Sequence, residues 1–352
     1  MDNPLRIAFV GWLEPGATSR QRMHALEDLG HVVAGVSATP APGSWIVQLP
    51  HRVSGKLFRL GANGCGPKDR NGENAALLRM VSDAPWDVIW IDKGTTIEAE
   101  TLSEVRRLRP QCRIVGYSPD DMYARHNQSR PFLKSLPLYD AYFTTKSYGV
   151  VELTSLGARR AHFVDNAYDP ATHRPIPVTP DERRRFGGRV GFIGAYEEQR
   201  CRAMEFLATN GVPVRVWGPR WPSRRMTGGM RVERQCLWGD AYALATCCFD
   251  INLGFLRKIN RDLQTTRSVE IPACGAFMLA ERTAEHQALF EEGREAAYFD
   301  CDEEMLDKVR YYLAHEEERR TIAAAGRDRC LRSGYSNQAR LAGVLEIAVK
   351  GL

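Results

Sequence analysis

The most chemically loaded stretch of this 352-residue chain runs from Asn252 to Gly275. It leaves an apolar run, passes a basic loop with Arg257, Lys258 and Arg261, and enters a helix through Thr266 and Arg267. Thr266 and Arg267 stand four and three positions before Glu270, so the three share a helical face. Glu270 sits among Val269, Ile271 and Ala273, next to a core, and a carboxylate there needs partners. A pair of sugar hydroxyls is one good set, because one carboxylate accepts several hydrogen bonds at once. Arg257, Lys258 and Arg267 can neutralise a diphosphate at the positive end of the helix. Pro272 implies that the helix bends or changes geometry. A surface Arg267–Glu270 ion pair beside a solvated basic loop is the competing reading.

A second candidate is the loop from Gly11 to Thr18, between a strand and a helix. Its glycines allow close backbone approach, and a helix start attracts anions. It is not Gly-x-Gly-x-x-Gly, and no Gly-Lys-Ser/Thr follows, so a plain strand-to-helix turn competes with it. Asp300-Cys301-Asp302 has the look of a metal-binding pair. Its place before a helix makes Asp302 an N-cap instead, with Glu303 and Glu304 in the first turn. No histidine pair has zinc-ligand spacing, so no metal is expected. Trp217, Trp221 and Trp238 could stack on a base, although packing is the simpler role for each.

Strands and helices alternate around these residues. Strands are expected at Leu5–Val10, His31–Val36, Asp87–Ile91, Arg113–Tyr117, Ala141–Thr145 and Ala161–Val164, with helices between them. Thr18 is the expected cap of the first helix. Residues 40–72 read as an irregular Pro- and Gly-rich loop. Residues 166–182 hold four prolines and no periodicity, and read as a linker. The rhythm restarts with strands at Val190–Ile193, Val214–Trp217, Phe249–Leu253, Phe277–Ala280 and Ala297–Phe299, and with helices that include Gln264–Cys274. The fold class is therefore α/β, two Rossmann-like domains facing across a cleft. The expected boundaries are 1–165, linker 166–182, 183–335, and a last helix in 336–352.

Composition narrows the class. Hydrophobic residues make up 43% and charged residues 26%, which is ordinary globular content. The ten-residue run Ile271–Ala280 falls well short of the ~20 apolar residues a bilayer crossing needs. The start of the chain has no secretory pattern, and the nine cysteines include no Cys-x-x-Cys, so a cytoplasmic, reduced protein is expected. Arginine clusters at 183–185 and 224–225 and a net charge of +5 fit an anionic ligand better than nucleic acid, which stays possible.

Several of these segments resemble a known family. Thr266-Arg267-Ser-Val-Glu270-Ile-Pro-Ala-Cys-Gly275, then Leu289-Phe290-Glu-Glu-Gly293 and Tyr311-Tyr312-Leu-Ala-His315, are similar to the CgeB-like branch of the GT-B glycosyltransferases. Val190-Gly-Phe-Ile-Gly194 with Arg200 resembles that family's second-domain opening, and Asp120-Asp121, Arg125-His126-Asn127 and Tyr139-Asp140 resemble its first domain. The resemblance implies sugar transfer from a nucleotide-diphosphate sugar bound by the second domain to an acceptor on the first. Carried over by position, Glu270 is the ribose ligand, and Asp262, where relatives have Glu, lies near the transferred sugar. Arg200 with Arg257 or Lys258 is the nearest match to the diphosphate-holding pair, and Gly194 lies in the donor lobe. Where many relatives have a histidine at a first-domain strand end, this chain has Ser118-Pro119-Asp120.

In such a transfer, positive charge grows on the sugar and negative charge on the leaving diphosphate, which fixed cations stabilise. Thr283 is expected to cap a second phosphate-facing helix start. Asp120 is the candidate base if stereochemistry inverts. With retention, the favoured outcome, the leaving phosphate takes the proton and Asp120 orients substrate. His126 lies beside it. The last helix is expected to cross back onto the first domain, as in relatives. No cofactor is expected beyond the nucleotide sugar as co-substrate, and the acceptor is a carbohydrate, a small molecule or another group. A nucleotide-sugar epimerase, a non-catalytic sugar-binding protein and a DNA-modifying enzyme are the alternatives.

Overall fold

The computed structural model describes residues 3–38, 67–223 and 226–349. Most of the 40–72 loop, Cys65 and the 224–225 arginines lie outside the described residues. The chain divides into two compact units, Met1–Asp165 with Asn337–Leu352, and Asn166–Ser336.

In the first unit β1 (Arg6–Gly11), α1 (Thr18–Asp28), β2 (Val32–Ser37), α2 (Glu73–Asp83), β3 (Val88–Asp92), α3 (Ala99–Leu108), β4 (Arg113–Ser118), α4 (Arg130–Ser135), β5 (Ala141–Thr144), α5 (Gly149–Ser155) and β6 (Ala161–Phe163) follow one another. The sheet order is β2-β1-β3-β4-β5-β6, and every pairing is parallel. All five residues of β3 are buried, as expected for a parallel strand covered on both faces. Phe9, Trp90 and Tyr117 stack across β1, β3 and β4, with centroids 6.1 and 5.7 Å apart.

The second unit contains α6 (Pro180–Phe186), β7 (Gly188–Ile193), α7 (Glu198–Thr209), β8 (Val214–Trp217), β9 (Met230–Val232), α8 (Asp240–Cys247), β10 (Phe249–Gly254), α9 (Arg267–Ala273), β11 (Met278–Glu281), α10 (Ala284–Leu289), β12 (Ala297–Phe299), α11 (Asp302–Ala314) and α12 (Glu316–Arg332). Its six strands are again all parallel, in the order β12-β11-β10-β7-β8-β9. Both units are thus α/β and Rossmann-like. The last helix, α13 (Asn337–Val349), packs on α1 in the first unit. It buries Leu341, Val344, Leu345 and Ala348 against Ile7, Phe9 and Trp90. Each of its larger apolar side chains contributes about 1.5–3 kcal/mol by leaving water.

Local details depart from the sequence reading for identifiable reasons. Ala17 occupies the N-cap of α1, and Thr18 is its first helical residue. Cys301, not Asp302, caps α11, its sulfur accepting from the Glu304 N–H at 3.5 Å. The helix expected over Gln264–Cys274 begins only at Arg267. Its entry is fixed by the Ser268 hydroxyl, which accepts from the Thr265 N–H at 3.0 Å. The segment 166–182 belongs to the second unit: the Tyr168 N–H donates to the Tyr335 carbonyl at 3.1 Å. It ends in a capping box, Thr179 with Glu182, that starts α6. The helices α4, α6 and α8 and the strand β9 carry little periodic signal in the sequence.

Candidate functional site

In the second unit, two arginines converge on one aromatic ring. Arg200 projects from α7 and Arg267 opens α9, and their guanidinium carbons lie 5.5 and 5.7 Å from the centre of Phe192, on β7. Arg200 is only 2% exposed. It donates to the carbonyls of Ala195 at 3.2 Å and Phe255 at 3.4 Å. The Glu197 carboxylate is 3.9 Å away. That same carboxylate is engaged more closely by Arg257, at 2.9 Å. Arg267 has no carboxylate partner among the described residues, and the Nε atoms of both Arg200 and Arg267 are buried without a hydrogen-bond partner. Burial, and then the charge of Arg267, pull the Arg200 pKa down to about 10. It stays protonated at neutral pH, so two like charges lie close together, one buried and one half-buried. Buried cations held this way are costly unless an anion joins them.

Glu270 stands one turn along α9 and is 6% exposed. The Tyr242 hydroxyl, from α8, donates to Glu270 Oε2 at 2.8 Å. His173 Nε2 faces Oε1 at 3.6 Å. Burial and the nearby Glu270 charge raise the Tyr242 pKa well above its usual value, so the phenol remains a donor. The surface Arg267–Glu270 pair is not formed. Asp262 is buried and accepts from Asn260 Nδ2 at 3.2 Å and the Arg257 N–H at 3.4 Å.

The remaining second-unit candidates are spread around this centre. Lys258 pairs with Glu281, at the end of β11, at 3.3 Å. Thr266 occupies the cap position of α9, but its side chain makes no capping bond. Thr283 caps α10: its hydroxyl accepts from the His286 N–H at 3.0 Å and donates to the Leu263 carbonyl at 2.6 Å. Gly194 follows β7. A Cβ on it would lie 2.5 Å from the Phe192 ring, and one on Gly218, at φ +147°, would lie 2.0 Å from the Gly194 carbonyl oxygen. Glycine at 194 therefore leaves room for the Phe192 ring. Trp217 and Trp221 are core residues and Trp238 is exposed. Asp300 is tied into an ion-pair network on Arg282, and no three metal-ligating side chains cluster among the described residues.

The first unit has its own polar cluster at the strand ends. A Cβ on Gly11 would lie 3.0 Å from Asp92 Cβ, so glycine admits the Asp92 side chain. Asp92 takes a two-pronged contact from the buried Arg22, at 2.7 and 3.0 Å, and a hydrogen bond from Ser19 at 2.8 Å. Arg22 also lies over Tyr117 at 4.7 Å. Asp120, just past β4, meets Lys93 Nζ at 2.5 Å. Asp121 closes the next turn by accepting from the Tyr123 and Ala124 N–H groups. His126 Nε2 is 3.1 Å from Asn127 Nδ2.

Sequence reasoning missed His173, Tyr242, Arg22 and Asp92. A carboxylate closing an apolar strand, as Asp92 does in Val88–Asp92, is the one signal that pointed to any of them.

Residues 199–346 match the family model described as glycosyl transferase-like. No curated protein matches the chain. Among solved structures, HepE of Anabaena in complex with UDP and glucose aligns at 12% identity over 99% of this chain and 100% of its own, with a TM-score of 0.61. Sucrose-phosphate synthase of Thermosynechococcus elongatus aligns at 11% over 97% and 98%, with a TM-score of 0.62. The N-terminal domain of trehalose-6-phosphate phosphatase of Candida albicans aligns at 11% over 99% and 98%, with a TM-score of 0.66. At these identities the likeness shows the fold, two Rossmann-like units in one chain.

Proposed function

We propose that this chain is a glycosyltransferase that takes its sugar from a nucleoside diphosphate sugar held by the second unit. The observation that carries this reading is the pair of guanidiniums over Phe192 with two buried, unsatisfied Nε–H donors. A diphosphate supplies the missing acceptors and the missing negative charge in one group. Glu270 keeps acceptor sites for a ribose diol, and Asp262, with Arg257 beside it, faces the transferred sugar. The glycosyl transferase-like match over 199–346 and the UDP and glucose complex of HepE support the same assignment.

The chemistry follows from the charges. Breaking the bond between the anomeric carbon and the phosphate oxygen leaves negative charge on the diphosphate, which Arg200 and Arg267 stabilise because they are preorganised over one ring, with Arg200 buried. We assign acceptor recognition to the first unit, around Asp120 and His126. The Lys93 ammonium holds Asp120 as an oriented carboxylate rather than a free base. That favours retention: the acceptor oxygen bonds to the anomeric carbon while its proton passes to the departing phosphate oxygen, with Asp120 orienting the acceptor. Protein cations supply the positive charge, and no metal ion is required.

The test is a thermal-shift panel of UDP, GDP, ADP and their sugars, followed by turnover of the best stabiliser with and without EDTA. A ligand bound to the native state raises its apparent stability. The reading expects stabilisation by one diphosphate and EDTA-insensitive turnover. Absence of stabilisation by any of them overturns it. Donor consumed to an epimer without acceptor selects the epimerase, and a loss of turnover restored by Mn²⁺ overturns metal independence.

A further inference from the structure

Glu270 is gripped from two sides by residues that a ribose ligand does not itself demand. Tyr242 reaches it from α8, donating to Oε2 at 2.8 Å. His173 reaches it from the proline-rich segment ahead of α6, with Nε2 at 3.6 Å from Oε1. The two rings pack edge to face, with centroids 5.5 Å apart. His173 is 5% exposed.

The histidine's proton can be placed. The Asp169 N–H donates to His173 Nδ1 at 3.0 Å, so Nδ1 is an acceptor and the proton sits on Nε2. The ring is locked in a tight turn, where the His173 N–H donates to the Asp169 carbonyl at 2.7 Å and the Thr172 hydroxyl to Asp169 Oδ2 at 2.6 Å. The Nε2–H bond therefore faces the carboxylate. Tyr242 occupies one acceptor position on Oε2, and His173 sets the electrostatics on the side of Oε1. A carboxylate has about four acceptor positions, so enough remain for two vicinal hydroxyls.

We infer that His173 and Tyr242 are positioning residues that fix the rotamer of Glu270, so that its free acceptor positions meet both hydroxyls of a ribose diol. The inference rests on the reading of Glu270 as the ribose ligand. It assigns a binding duty to segment 166–182, which joins the donor site through one imidazole.

The experiment uses the full chain and the best stabiliser among UDP, GDP and ADP, together with its 2′,3′-dideoxy counterpart. Calorimetric Kd values give the preference for the ribose form. The wild type is expected to prefer it by about tenfold, as hydrogen bonds to a charged group allow. Tyr242→Phe, which removes one oxygen, and His173→Asn are expected to abolish most of that preference. The amide of His173→Gln places a donor where Nε2 stood, and it is expected to retain the preference. A purely structural role predicts the opposite order at 173, because Asn still offers an acceptor to the Asp169 N–H. Full preference in Tyr242→Phe and His173→Asn, with loss in Glu270→Gln, overturns the positioning role and leaves the ribose reading standing. No preference in the wild type, or full preference in Glu270→Gln, overturns both.

Discussion

In the first unit the buried guanidinium of Arg22 meets Asp92 through two hydrogen bonds and lies over Tyr117, and the ring, the cation and the anion complete one another. In the second unit Arg200 and Arg267 lie over Phe192 in the same ring-and-guanidinium manner, but among the described residues neither takes a close, two-pronged carboxylate contact. The nearest one, Glu197, is shared and closer to Arg257. The two sheets are alike in strand number and direction, so the difference is not one of architecture. On the proposed reading, the cation that finds its anion within the first unit serves the fold, and the two over Phe192 serve the diphosphate.

The largest effect expected is on the matched pair. Arg22→Met leaves the buried Asp92 without its cation, held by Ser19 alone, and costs about 3–5 kcal/mol of stability in denaturant unfolding. Nucleotide affinity stays at the wild-type value. If affinity falls as well, the first unit also serves the donor and the contrast fails. Next comes the unmatched pair. Arg267→Met is expected to raise the Kd for a nucleoside diphosphate by about 10- to 150-fold, the loss of a charge-assisted contact, while the Tm of the ligand-free protein does not fall. A drop in Tm with unaltered affinity would show Arg267 to be structural.

The smallest effect separates the units by acid. His286, buried between Ser268 and the Glu281 carbonyl, has its pKa pushed down to about 4, chiefly by burial. Below about pH 6.5 an unfolded chain protonates this imidazole while the folded unit does not. The contribution to stability is therefore complete above that pH and is lost as pH falls towards 4, by at most about 1.4 kcal/mol per pH unit. Unfolding at pH 7.5 and 5.5 should show the second unit losing more stability than the first, and His286→Gln should flatten its slope. Equal slopes would contradict this.

How much of this was legible in the sequence depended on distance along the chain. The buried parallel strands announce themselves as apolar runs, and Glu270 stands out as a carboxylate inside an apolar helix. Arg200 and Arg267 were visible as single cations, but their meeting over Phe192 joins one strand and two helices that no spacing relates. Tyr242 lies on an alanine-rich helix without a polar face, and His173 lies among prolines that carry no period. Asp92 and Arg22 are 70 positions apart, and only a fold brings such partners together. Thr18 and Asp302 show the finer limit: a good capping residue one position late becomes the first residue of the helix.

The most direct measurement is a crystal structure of the protein with the nucleoside diphosphate that stabilises it most. Phosphate oxygens should lie within hydrogen-bonding distance of both Arg200 and Arg267, with the ribose hydroxyls on Glu270. A well-ordered nucleotide elsewhere, with Glu270 still engaged only by Tyr242 and His173, would contradict the account.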